Sequence, residues 1–242
     1  MQFTSPLIEA RFVERPNRFL GIVDLKGVRT KCHIPNPGRM MELLTEGAKV
    51  YIQEKTGQGR KTLYDLTLVE HQGVLVSVDS RTPNNLADEA ITQGKIPEFK
   101  GYRIKKREHT VEDSRLDFLL EGDEGPLFLE VKSCTLIRDG VALFPDAPTK
   151  RGSRHLNTLL RCLKKGRAAV LLVIQRPDAS VFSPNAVTDP VFADTLRKVH
   201  NKGVEVITYD CKVSTHGIWI NKKIEVKISE INIKEHKNSS QT

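Results

Sequence analysis

Arg115-Leu116-Asp117-Phe118-Leu119-Leu120, a Gly122-Asp123-Glu124-Gly125 turn, and Leu127-Phe128-Leu129-Glu130-Val131-Lys132 read together as a β-hairpin. In a strand alternate side chains share a face, so Leu127, Leu129 and Val131 point one way and Glu130 and Lys132 the other. Asp117 joins the second set, because it and Glu130 are placed symmetrically about the turn on roughly opposing positions. Two carboxylates and an ammonium converging beside an apolar sheet are unfavourable, since desolvating like charges is costly, unless a divalent cation joins them. Mg²⁺ takes one or two carboxylates, keeps several waters and completes its shell with substrate phosphate. The expected chemistry is therefore metal-assisted phosphodiester hydrolysis. Asp117 and Glu130 would bind Mg²⁺ or Mn²⁺, and Lys132 would orient the attacking water or balance charge on the phosphorane. A solvated hairpin whose charges form a surface ion pair is the plain alternative on spacing alone.

The elements on either side of the hairpin extend this reading. Before it, a helix opened by Thr82 with Pro83 at its first position and ended by Gly94 has Leu86, Ala90 and Ile91 as an apolar stripe. Glu89 lies beside that stripe and is a third candidate metal ligand, although an exposed helix acid like Asp88 fits the spacing equally well. After it, Lys150 to Arg167 holds seven Lys or Arg and no acid. Arg151, Arg154, Thr158, Arg161 and Lys165 recur at three- and four-residue steps as a polar stripe, opposite Leu156, Leu159, Leu160 and Leu163. Lys105 and Arg107 belong to a second basic cluster just upstream of Asp117. Both clusters flank the acidic residues in sequence, which fits a DNA backbone held across a metal site, while a solvated helix face is the alternative.

Further out, the chain falls into two parts. Phe19–Leu25, Val28–Ile34, Lys49–Gln53, Thr62–Glu70 and Val74–Val78 read as five strands, with a short helix Met40–Leu44 between the second and third. Five strands interrupted by a helix fit an OB-like β-barrel over residues 1–80. From residue 81 to 230 helices and strands alternate, as in a mixed sheet flanked by helices, and end in a hairpin within Ile218–Ile228. Residues 231–242 are polar enough for a flexible tail. The expected fold class is thus α/β (α+β), a barrel followed by a nuclease-like mixed sheet.

Composition narrows the class further. The 242 residues are 38% hydrophobic and 28% charged, with a net charge of +8, which favours a polyanionic partner. The longest apolar run, Ala168–Ile174, is too short to span a membrane, and no apolar segment follows Met1, so no membrane contact and a cytoplasmic location are expected. The four cysteines show no C-x-x-C pair and read as reduced, buried thiols. Cys32-His33-Ile34-Pro35-Asn36-Pro37-Gly38-Arg39 is a rigid turn suited equally to a ligand or to a tight connection.

The His33–Met40 turn, Ser114-Arg115-Leu116-Asp117, Phe128-Leu129-Glu130-Val131-Lys132-Ser133, Phe144-Pro145-Asp146-Ala147, Arg151-Gly152, His155-Leu156 and Phe182-Ser183-Pro184-Asn185 through Ala193 closely resemble the sugar fermentation stimulation protein A family. The resemblance spans nearly the whole chain apart from the tail. It implies an OB-like domain, a PD-(D/E)XK nuclease-like domain, DNA binding and a link to sugar, especially maltose, utilisation. It carries over Asp117, Glu130 and Lys132 as the motif and Glu89 as the helix acid. More weakly it carries over Asp146, Arg151 and His155 as pocket residues; Arg151 and His155 also count in the DNA-binding set, and Arg115, His33, Asn36 and Arg39 are further pocket candidates. A Mg²⁺-dependent nuclease and a non-catalytic, largely sequence-nonspecific DNA-binding regulator both remain open, as does the oligomeric state, monomer or homodimer.

Overall fold

Ile8, Ala10 and Phe12 alternate with Glu9 and Arg11, and this two-residue period makes strand β1 (Leu7–Asn17), with Ala10 and Phe12 buried. The computed structural model describes residues 1–228, and the expected tail, 231–242, lies outside the described residues. After β1 come β2 (Leu20–Leu25), β3 (Val28–His33), β4 (Lys49–Glu54), β5 (Tyr64–His71) and β6 (Val74–Ser77). Their order is β3-β2-β1-β4-β5-β6, and a parallel pairing of Cys32 and His33 with Tyr64 and Asp65 closes the first five into a barrel. Val23, Ile52, Leu66 and Val69 fill its core.

Two expectations about this half are corrected. The longest barrel strand is β1, which lies outside the five expected segments, and β6 extends β5 as a hairpin outside the closed ring. Met40–Leu44 makes a single turn, with the Leu43 and Leu44 amides both on the Met40 carbonyl, because Met40 itself sits at φ 48°, in the left-handed region where a helix cannot start.

The second half runs α1 (Thr82–Thr92), β7 (Arg103–Val111), β8 (Ser114–Gly122), β9 (Gly125–Cys134), β10 (Ile137–Arg138), β11 (Val141–Phe144), α2 (Lys150–Cys162), β12 (Arg167–Ile174), β13 (Val181–Pro184), α3 (Pro190–His200), β14 (Glu205–Ser214), β15 (Gly217–Lys223) and β16 (Glu225–Val226). The main sheet has the order β15-β14-β12-β9-β8-β7, with β12 parallel to both β9 and β14 and the outer pairs antiparallel. Its central strand β12 is the apolar run Ala168–Ile174, buried on both faces. Ala169, Leu171 and Val173 meet α1, while Ala168, Val170 and Leu172 meet α2 and α3. The expected closing hairpin does not form: β15 folds back on β14, whereas β16 joins β13 in a small separate sheet with β10 and β11.

Gln175, at the end of β12, ties the two halves together. Its carbonyl accepts from the Ser77 amide and its Oε1 from Ser77 Oγ, both at 3.0 Å, while its Nε2 donates to Ser133 Oγ on β9 at 2.9 Å. Beside this junction the Asn36–Arg39 turn is held by Arg15, whose guanidinium donates to the carbonyls of Asn36, Gly38, Arg39 and Arg18. A Cβ on Gly38 would lie 2.5 Å from Asp146 Oδ2, so glycine there is what lets the barrel turn approach the sheet domain.

Candidate functional site

The β8–β9 ladder is regular only as far as Phe118 opposite Leu129. Past that pair the strands part, and the Asp117 carboxylate fills the gap, with Oδ2 accepting the Val131 amide at 2.7 Å. Its Oδ1 accepts from Asn84 Nδ2 of α1, also at 2.7 Å. On β9 the alternation is as expected: Leu127, Leu129 and Val131 pack on the α1 side, and Phe128 on the α2 side with Glu130. Glu130 Oε1 is ion-paired with Lys132 Nζ and accepts from His155 Nδ1 of α2 at 2.5 Å. Arg151 Nε donates to His155 Nε2 at 3.3 Å, which places the ring proton on Nδ1, aimed at Glu130.

Three of the four carboxylate oxygens thus have protein partners, and the fourth, Glu130 Oε2, is buried with none. An unpartnered buried carboxylate oxygen costs roughly 1–3 kcal/mol or more. Glu42 Oε1 and Asp210 Oδ2 are also buried without a hydrogen-bond partner, but burial pushes both of those carboxyls up, and Asp210 Oδ2 has Lys222 Nζ at 3.9 Å. Glu130 differs. Burial pushes it up as well, but Lys132 and hydrogen-bonded His155 outweigh burial and hold it below the usual carboxylate range. It is therefore held as a carboxylate, with one buried oxygen that no protein donor among the described residues reaches. Asp117 is pushed up, first by burial and then by Glu130, as expected of two carboxylates sharing one site. Among the described residues no three His, Cys, Asp or Glu side chains converge, so the protein offers a two-carboxylate site.

A cleft of about 460 Å³ opens beside these residues, bordered by Lys132, Asp146 and Arg151 from the sheet domain and by Arg18, Asn36 and Gly38 from the barrel. Asp117, Glu130, Lys132, Arg151 and His155 are brought together, with Asp146 and Asn36 on the neighbouring wall.

Several expected site residues are placed elsewhere. Glu89 is turned away and binds the Met1 amino group at 2.9 Å; the α1 residue that reaches Asp117 is Asn84. His155 is only 2% exposed, so it holds Glu130 and does not touch DNA. Thr158 is fully buried against Ser114 Oγ, not part of the polar stripe. Arg161 pairs with Glu112 and Asp113, Lys105 with Glu121, Arg107 with Asp88 and Arg115 with Glu108, and all four cations stay at the surface in these ion pairs. Arg39 and Arg115 do not border the cleft, and His33 borders a different cavity on the barrel. Arg154 and Lys165 are exposed and make no ion pair among the described residues.

Sequence reasoning missed Asn84, Arg15 and Arg18. The one signal for Asn84 was a polar residue flanking the buried stripe of α1, and Arg15 and Arg18 carried no local signal.

The family model described as the sugar fermentation stimulation protein RE domain matches residues 81–217, and the N-terminal OB domain model of the same family matches residues 13–78. A sugar fermentation stimulation protein homolog of Moorella thermoacetica is 44% identical over 231 residues, covering 94% of this chain and 100% of the relative. One from Desulforamulus reducens is 46% identical over 223 residues, covering 92% and 93%. The Pyrococcus furiosus member, solved in complex with Ca²⁺, superposes with a TM-score of 0.87 at 33% identity, covering 94% of this chain and 98% of that one.

Proposed function

This chain belongs to the sugar fermentation stimulation protein family, and we propose that it is a DNA-binding protein whose Asp117–Glu130 pair is a divalent-metal phosphodiesterase site, a nuclease centre of the PD-(D/E)XK type. The observation that carries the reading is the charged, buried Glu130 with one unpartnered oxygen, set beside Asp117 where β8 and β9 part. Asp117 and Glu130 would hold Mg²⁺ or Mn²⁺, which when bound supplies charge neutralisation on phosphate and a more acidic water. The Ca²⁺ bound by the Pyrococcus furiosus relative is likewise a divalent ion that takes oxygen ligands.

The chain's own groups have separable roles. The Val131 amide and Asn84 orient Asp117, and His155, itself held by Arg151, orients Glu130. Lys132 faces the cleft and offsets the charge that builds on phosphorus as water adds and the P–O ester bond breaks. Arg151 and Arg18 line the same cleft and are placed for phosphate oxygens. We take residues 1–80 as a barrel unit and 81–230 as the catalytic unit of a cytoplasmic protein; no described helix is long and apolar enough to cross a membrane.

A second reading, a non-catalytic DNA-binding factor linked to sugar metabolism, is favoured by the two-carboxylate site, since Glu89 contributes no third acid. Incubating labelled single-stranded, duplex and branched DNA with the protein in Mg²⁺, Mn²⁺ or EDTA separates the two. Cleavage that EDTA stops supports the nuclease. Binding of these substrates with no cleavage of any of them makes the regulator the better account.

The exposed face of α2 gives a separate prediction. Arg154→Ala combined with Lys165→Ala should weaken duplex binding and flatten its dependence on salt, lowering the slope of log K against log salt by about one for each phosphate no longer neutralised. A titration series from low to moderate salt measures this, and an unchanged slope would leave that face as plain solvated surface.

A further inference from the structure

Phe19 stands on the turn between β1 and β2 with 48% of its surface exposed, and the backbone around it is firmly tied. Asn17 Oδ1 accepts from the amides of Phe19 and Leu20, both at 3.0 Å. The Phe19 carbonyl accepts from the Ile34 amide at 2.9 Å and pairs with His33 Nδ1 at 3.1 Å. These bonds set the Phe19 and His33 rings in a stack, 6.2 Å between centroids and 27° between planes. One ring of the pair is thus backed by the other and presents its free side to solvent.

The two rings border a barrel cavity of about 610 Å³ that residues of the loop between β4 and β5 also line. The cavity lining contains Lys31, Arg60 and Lys61 and no carboxylate. Arg60 is engaged by Asp65 at 2.5 Å, whereas Lys31 and Lys61 make no ion pair among the described residues. An aromatic face ringed by free ammonium groups matches a ligand with a planar ring and phosphates. A sugar would also stack, but its hydroxyls favour carboxylate or amide acceptors, and the one amide in the lining, Asn17, already has its Oδ1 taken by two backbone amides.

We infer that this barrel face is a binding site for unpaired nucleotides, in which a base stacks on the free side of Phe19 and Lys31 and Lys61 hold the flanking phosphates. Stacking on a rigid aromatic ring beside a basic groove is how single strands are held without regard to sequence. Paired bases already stacked within a duplex cannot use the ring, so the site selects unpaired strand. Arg18, the residue immediately before Phe19, lines the cleft beside Lys132 and Arg151, so the β1–β2 turn contributes to both the cleft and the stacking site. The stacking site stands on its own residues. Its consequence, that DNA with a single-stranded arm is the substrate class, rests on the nuclease reading.

The test is fluorescence anisotropy of labelled (dT)12 with the full chain in EDTA. Phe19→Ala should bind about 10-fold or more weakly, the loss of one stacked base, while Phe19→Trp keeps the affinity. Lys31→Ala with Lys61→Ala should lower the salt slope by about 0.7 for each phosphate no longer neutralised. A 5-bromodeoxyuridine oligonucleotide should photocrosslink to the peptide carrying Phe19 or His33. Wild-type affinity in Phe19→Ala, no affinity of the wild type for (dT)12, or an equal loss for duplex of the same length would each overturn the inference. The two readings fail separately: an absence of cleavage leaves the (dT)12 results standing, and an unaffected Phe19→Ala leaves cleavage standing.

Discussion

Glu130→Ala is expected to lower Mg²⁺-dependent cleavage of DNA by about 10³-fold or more while binding in EDTA is retained or strengthened. The size follows from the proposed role: its loss would remove both a metal ligand and the anchor of Lys132 and His155. Binding should hold because one negative charge near the phosphates is gone. Lys132→Ala should fall in the same range. His155→Ala acts only by loosening Glu130 and should cost about 10- to 100-fold, recovered at higher metal concentration as a metal-orienting residue would be. Single-turnover cleavage across a Mg²⁺ titration distinguishes these cases. Undiminished cleavage by Glu130→Ala would sink the assignment, and weaker DNA binding in both carboxylate variants would also count against it.

Much of this site could be read from local sequence, because a strand's two-residue period is a short-range property. The alternation across Leu127–Lys132 put Glu130 and Lys132 on one face, and symmetry about the Gly122–Gly125 turn brought Asp117 to them. What the pattern could not show is that the ladder stops at Phe118 and Leu129, so that Asp117 binds a backbone amide where a regular strand would continue pairing. That break depends on Asn84 and α1, which are distant in sequence.

The misplaced residues share a cause. On α1, Glu89 lies five residues from Asn84, roughly 140° around the helix, and only packing against the sheet decides which of the two faces Asp117. On α2, the spacing of the basic residues is real, but burial of Thr158 and His155 follows from contact with Ser114 and Glu130. Arg107 and Arg161 read as free cations because their acidic partners, Asp88 and Glu112, sit on other elements. In the barrel the period-two signal of Ile8, Ala10 and Phe12 was present, but the alternating charges of the segment hid it, and the strand count fell one short.

Asp117→Asn should stabilise the metal-free protein near neutral pH and lose that advantage when metal is added. Burial, and then the charge of Glu130, raise the Asp117 carboxyl in the folded state. As pH climbs from the ordinary aspartate range, near 3.8, to the raised folded value, the folded chain holds a proton the unfolded chain has released. The folded state then binds more protons than the unfolded state, so stability falls as pH rises through that window. Asparagine has no proton to lose. In EDTA the variant should therefore have the higher urea midpoint near pH 7, and the gain should vanish below the ordinary aspartate range. A divalent ion that binds only the folded wild type adds about 2.7 kcal/mol at one hundred times its Kd, so Mg²⁺ or Mn²⁺ should reverse the order of the two proteins. Urea midpoints at two pH values, with and without metal, read all four states. A variant less stable than wild type in EDTA, or one that gains as much from metal as the wild type, would show that Asp117 is a structural acid and not a member of a cation site.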